Sequence, residues 1–183
     1  INNAIAIRTP HERTYSTWIE DFPDDFILRK RGGTQGDDPE YMMSVSIKSF
    51  SRAVLRATVQ PRIEGDDVGP PIVFFVAHLK SKRPMWLDQQ DKDRPGLTAP
   101  DRSALGAALS TIRRTAEAAA LRMVVNSAMG STAVPVVVLG DINDGQRSNT
   151  INILSTQPRY RLVESSRVGR SSSKGLYLAQ TLQ

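Results

Sequence analysis

The sequence predicts an α/β (α+β) domain, on three observations. Two runs, Ile72–Ala77 and Val134–Leu139, are apolar throughout and strand-sized. Such runs fit strands covered on both faces. Between them, from Pro100 to Gly130, apolar residues recur at three- and four-residue steps, as on an amphipathic helix. The order strand, strand, helix, strand belongs to a mixed layered domain. At 183 residues the chain suits one domain, 1–183, with no internal repeat or low-complexity boundary.

Ala4-Ile5-Ala6-Ile7-Arg8 reads as a short strand. Residues 15–26 read as irregular and acidic, with Pro23 barring a helix. Residues 26–28 resemble a strand start, the cluster Arg29-Lys30-Arg31 follows, and residues 32–39 are loop by composition. Met43, Val45 and Ile47 alternate with polar residues, which predicts a half-buried strand. Residues 53–59 predict another. Glu64-Gly65-Asp66-Asp67 is a turn sequence that allows its flanks to pair as a hairpin.

Residues 82–100 form a long polar loop carrying Pro84, Pro95 and Pro100, and long loops are often functional. In the helix, Leu105, Leu109, Ile112, Ala116, Ala119 and Met123 are the expected apolar face. Arg113, Arg114, Glu117 and Arg122 fall mostly off it. Asp101 is the expected N-cap and Gly130 the stop. A short helix is expected over 148–154, a last strand over 160–164 and a loop over 165–175.

Composition narrows the chemistry. With no cysteine there is no disulfide framework, thiolate metal site or cysteine nucleophile. Two histidines, His11 and His78, are too few for a histidine-rich zinc site. The net charge of +5 leans towards a polyanionic partner. No run reaches the ~18 apolar residues of a membrane span. His11-Glu12 lacks the second histidine of a zinc protease, and the glycines at 32, 33 and 36 lack the lysine of a phosphate loop.

The sharpest motif is Gly140-Asp141-Ile142-Asn143-Asp144, at the end of an apolar strand. In extended chain Asp141 and Asn143 point the same way. A carboxylate can orient or deprotonate water or bind a hard cation, and an amide can donate to a phosphoryl oxygen. The same residues also make ordinary Asx turns. His78 ends the other apolar strand and is suited to donate to phosphate or act as a general acid. Arg52, Arg56, Lys80, Lys82 and Arg83 form a basic set suited to anions. Trp86 is expected to pack on the core rather than stack a base.

Four segments in this order, Phe50–Arg56, Phe75–Lys82, Arg114–Arg122 and Val138–Asp144, resemble the endonuclease/exonuclease/phosphatase superfamily. The nearest resemblance is to bacterial members with His-Leu-Lys-Ser-Lys and Gly-Asp-x-Asn-Asp motifs, over residues 42–155. The resemblance implies a four-layer α-β-β-α sandwich and phosphodiester hydrolysis, as in a nuclease, using Mg2+ or Mn2+. Carried over, Asp141 orients water and is a metal ligand, while Asn143 and His78 hold the scissile phosphate. Arg52 and Lys80 are expected to contact substrate, which is nucleic acid or another phosphodiester. Asp144 receives no chemical step.

The family pattern also needs a Gln-Glu strand end early and an Asp-His pair late. Neither occurs before residue 42 or after Asn143. The expectation is therefore a domain truncated at both ends, with little or no activity on its own. The alternative is a catalytically dead polyanion-binding or scaffold module of the same fold. Compartment and oligomeric state stay open.

Overall fold

The computed structural model describes residues 11–24, 26, 45–62, 68–88, 95–131, 134–155, 175–176 and 178–179. Four strands form one mixed sheet in the order β1-β2-β3-β4. They are β1 (His11–Asp21), β2 (Ser49–Pro61), β3 (Ile72–His78) and β4 (Val136–Asp141). Between β3 and β4 runs α1 (Ala99–Ser131), and α2 (Asn149–Ser155) follows β4. The chain is thus α/β, as expected. Among the described residues no helix is long and apolar enough to cross a membrane.

β1 to β3 pair antiparallel, and β3 pairs parallel with β4. A parallel pair needs a long crossover, and α1 supplies it. β1 corrects the irregular segment expected over 15–26. Tyr15, Thr17, Trp18 and Ile19 are strand formers, and they gain a full partner in β2, from Tyr15↔Thr58 to Ile19↔Val54. Pro23 lies just past the strand end.

The strand expected around 43–47 is not one in its described part. Residues 45–48 alternate in exposure, yet the ladder begins only at Ser49. Ile47 still packs against the core. β2 and β3 pair as the hairpin reading required, with an Arg62↔Val68 bridge beyond their ends. The turn itself lies outside the described residues. So do the expectations for 4–8, 27–39, Met43, 160–164 and 165–174.

Register divides the sheet into two faces. Val54, Val73, Phe75 and Ala77 join Ala116, Ala118, Ala120, Leu121 and Val125 of α1 in the core. Phe22 extends it, edge-on to Phe26 and Phe50 with ring centroids 4.7 and 4.8 Å away. Leu55, Val76 and Leu139 are aligned on the other face, beside Trp18. Leu139 and Trp18 there are 43% and 53% exposed.

The helix is where the sequence pattern misleads most. Leu105, Leu109 and Ile112 are exposed, whereas Ser110, Arg114, Glu117 and Arg122 are buried. The reason lies in what covers α1. Its N-terminal half packs against the backbone that follows β3, and backbone needs polar partners. Ser110 Oγ donates to the Arg83 carbonyl at 2.6 Å, and the Met85 N–H donates to the Gly106 carbonyl at 2.9 Å. A Cβ at Gly106 would stand 2.3 Å from the Met85 oxygen, so only glycine permits this approach.

The N-cap is Thr98, one turn ahead of the expected Asp101. The Thr98 N–H donates to the Asp101 carboxylate at 2.8 Å, and the Asp101 N–H to Thr98 Oγ1 at 3.3 Å. This is a reciprocal capping box with Asp101 in the third helical position. At the far end, buried Arg122 donates to the Leu154 and Ser155 carbonyls and so closes the last turn of α2.

Glu117 is fully buried and ties three elements together. It accepts from the Ser51 N–H at 2.7 Å, the Lys80 N–H at 2.6 Å and Arg113 Nε at 3.3 Å. Glu117→Ala strands all three donors. The expected cost is about 3–5 kcal/mol, the range for breaking a buried charged pair. Urea unfolding at neutral pH measures it, and a loss below about 1 kcal/mol, the size of a surface pair, contradicts this role.

Candidate functional site

The C-terminal ends of β3 and β4 lie side by side, with His78 in register with Asp141. The side chains meet there, His78 Nε2 standing 4.0 Å from Asp141 Oδ2. The His78 side chain is 20% exposed and that of Asp141 63%, so the pair opens to solvent on one side. Strand ends of this kind hand polar groups from a rigid sheet to an open edge.

Gly140 makes the juxtaposition possible. Its φ is +117°, and a Cβ there would stand 2.0 Å from the Ala77 carbonyl oxygen. With glycine the parallel ladder continues to its last pair, and the Leu79 N–H reaches the Asp141 carbonyl at 3.0 Å. Asn143 follows at φ +56°, a region asparagine tolerates better than most residues.

Both sequence readings of the motif coexist in the structure. The Asn143 N–H donates to Asp141 Oδ1 at 2.8 Å, which is the Asx turn. The turn leaves Oδ2 facing His78. Asn143 Nδ2 donates to the Leu79 carbonyl at 2.9 Å, fixing the amide against the end of β3. An amide nitrogen carries two hydrogens, so one stays available. His78, Asp141 and Asn143 are therefore gathered at one place.

Arg52 and Lys80 take different positions. Arg52 Nη1 makes long contacts, 3.5 and 3.4 Å, to the His78 and Leu79 carbonyls, so its guanidinium lies against the strand end. Among the described residues it forms no ion pair with a carboxylate. The Lys80 ammonium folds back onto its own loop and donates to Ser81 and Arg83 oxygens at 3.1–3.4 Å. Burial and then the neighbouring Arg52 charge lower its pKa, with Glu117 acting in the opposite sense.

Asp144, to which the sequence assigned no step, is the anchor of the loop. It accepts from Thr150 Oγ1 at 2.7 Å, the Gly145 N–H at 2.9 Å and Arg114 Nε at 3.3 Å, and it pairs with Lys82 at 3.0 Å. Arg114, 4% exposed, also donates to the Lys80 carbonyl at 3.4 Å. One arginine thus spans the segments after β3 and β4. Glu117 and Arg114 were missed as positioning residues. The available signal was that Glu117 is the one acid in the interior of α1, set in an alanine-rich run.

No protein-family model, curated protein or solved structure matches this chain. The site therefore stands on its own geometry.

Burial alone would raise the pKa of the Asp144 carboxyl. The hydrogen bonds from Thr150, Lys82, Gly145 and Arg114 outweigh burial and hold it well below the usual carboxylate range. A carboxyl depressed in the folded state stabilises fully above its unfolded value of about 3.9, and the contribution fades as pH falls towards the folded value. Asp144→Asn is therefore expected to lower the urea midpoint at neutral pH. The gap to the native chain should narrow between about pH 5 and about pH 2. A gap that is constant with pH contradicts the assignment.

Proposed function

We propose that the chain carries the phosphate-contacting part of a phosphodiester hydrolase of the endonuclease/exonuclease/phosphatase type. The observation that carries the reading is the His78–Asp141 pair, in register on adjacent parallel strands and 4.0 Å apart. That gap exceeds a direct hydrogen bond and suits one bridging water. Asp141 Oδ2 is the acceptor that orients the attacking water and takes its proton. His78 and the remaining Asn143 N–H donate to phosphoryl oxygens, where charge grows as the phosphorus–oxygen ester bond breaks, and the leaving oxygen takes its proton from solvent water. Arg52, held against the strand end by the His78 and Leu79 carbonyls, adds positive charge behind them.

Magnesium takes one or two protein carboxylates and fills its shell with phosphate oxygens and water. The exposed Asp141 carboxylate suits it as one such donor. The described residues gather no cluster of three histidine or acidic side chains around it. Bound there, the ion would neutralise charge on the phosphate and acidify water. On the sheet face away from α1, Trp18 and Leu139 are exposed, which supports a sandwich in which a second sheet packs there.

The test is magnesium-dependent hydrolysis of a chromogenic phosphodiester by the complete gene product. Asp141→Ala, His78→Ala and Asn143→Ala are each expected to lower kcat by about 10²–10³-fold with the fold intact. Full turnover in the Asp141 and His78 variants contradicts the proposal. Polyanion binding without turnover in any form favours the non-catalytic module instead.

A further inference from the structure

The loop after β3 presents Trp86 at 87% exposure, against the expectation that it packs on the core. The exposure is built in. Three contacts pin the loop: Lys80 Nζ to the Arg83 carbonyl at 3.1 Å, Ser110 Oγ to the same carbonyl at 2.6 Å, and the Met85 N–H to Gly106 at 2.9 Å. Leu87 is 8% exposed and Met85 is half-buried. With both neighbours turned inward, the indole between them is held outward.

We propose that Trp86 is a stacking platform for a base of a single-stranded nucleic acid whose phosphate lies at His78 and Asp141. This rests on the phosphodiester reading of that site and names its substrate class. The loop leaves the site at Lys80, beside Arg114, and passes Ser110 and then Gly106. Eight helical residues separate Arg114 from Gly106, about 12 Å along α1. At a stacked spacing of about 3.4 Å, that helical rise matches roughly three nucleotides of strand. Arg83, exposed, lines the path and suits the phosphates between, while Lys82 beside it is held by Asp144 at 3.0 Å.

A lipid surface fits less well. Trp86 is the one large apolar side chain at the described tip, with exposed Pro84 and Asp88 about it. The exposed Leu105, Leu109 and Ile112 lie one residue round α1 from the stripe that the loop covers, a rotation of about 100°.

The chain has two tryptophans, Trp18 and Trp86. In Trp18→Phe the emission therefore reports Trp86 alone, and a short oligothymidylate is expected to quench it. Trp86→Ala, at an exposed position, should weaken oligothymidylate binding about ten- to hundredfold. An abasic oligomer of equal length should bind the native chain and Trp86→Ala alike. Equal oligothymidylate affinity in Trp86→Ala, or quenching by phosphatidylserine vesicles and not by the oligomer, overturns the proposal. Quenching by an oligomer that the complete gene product never cleaves keeps the stacking role and removes the hydrolytic one. Cleavage without quenching does the reverse.

Discussion

The buried carboxylate of Glu117 is the constraint on which the rest of the structure leans. A charge inside a protein is tolerated only when paired and hydrogen-bonded. Glu117 meets that condition by taking two backbone amides near strand ends. The Ser51 amide sits where β2 begins, and the Lys80 amide sits just after β3 ends. Arg113 supplies the countercharge and also donates to the Ser49 carbonyl at 2.9 Å. One side chain on α1 thereby ties the start of β2 and the end of β3 to the helix. The end of β3 is where His78 stands.

A second tie sets the neighbouring strand. Arg114 reaches both the Lys80 carbonyl and Asp144, and Asp144 holds Thr150 of α2 and Lys82 of the β3 loop. The segments after β3 and after β4 are thus fastened to each other through α1. Gly140 lets the two strands approach, and the Asn143 amide closes onto the Leu79 carbonyl. The opposition of His78 and Asp141 results from these contacts acting together. Preorganisation of this kind is what lets donors act on developing charge without reorganising.

Apolar runs made β3, β4 and the crossover helix legible in the sequence, and motif position made His78, Asp141 and Asn143 legible with them. What stayed hidden has a common physical cause. β1 lacks strong alternation and becomes a strand through pairing with β2, which is a tertiary effect. The buried stripe of α1 is polar where it serves loop backbone, so counting apolar spacings selects Leu105, Leu109 and Ile112, which are exposed. Asp144, Arg114 and Glu117 look like ordinary surface charges until the fold brings their partners to them. Trp86 was assigned inward on hydrophobicity, and the anchored Met85 and Leu87 keep it out.

The central claim is that His78 and Asp141 receive a phosphodiester. The chain has only two histidines, His11 and His78, so its imidazole resonances are resolvable by proton–carbon NMR. Titration with a thymidine dinucleotide should move the His78 ring resonances saturably and leave those of His11 in place. The shift should vanish in Asn143→Ala. A His78 ring that does not respond at any dinucleotide concentration, or responds no more than His11, contradicts the account.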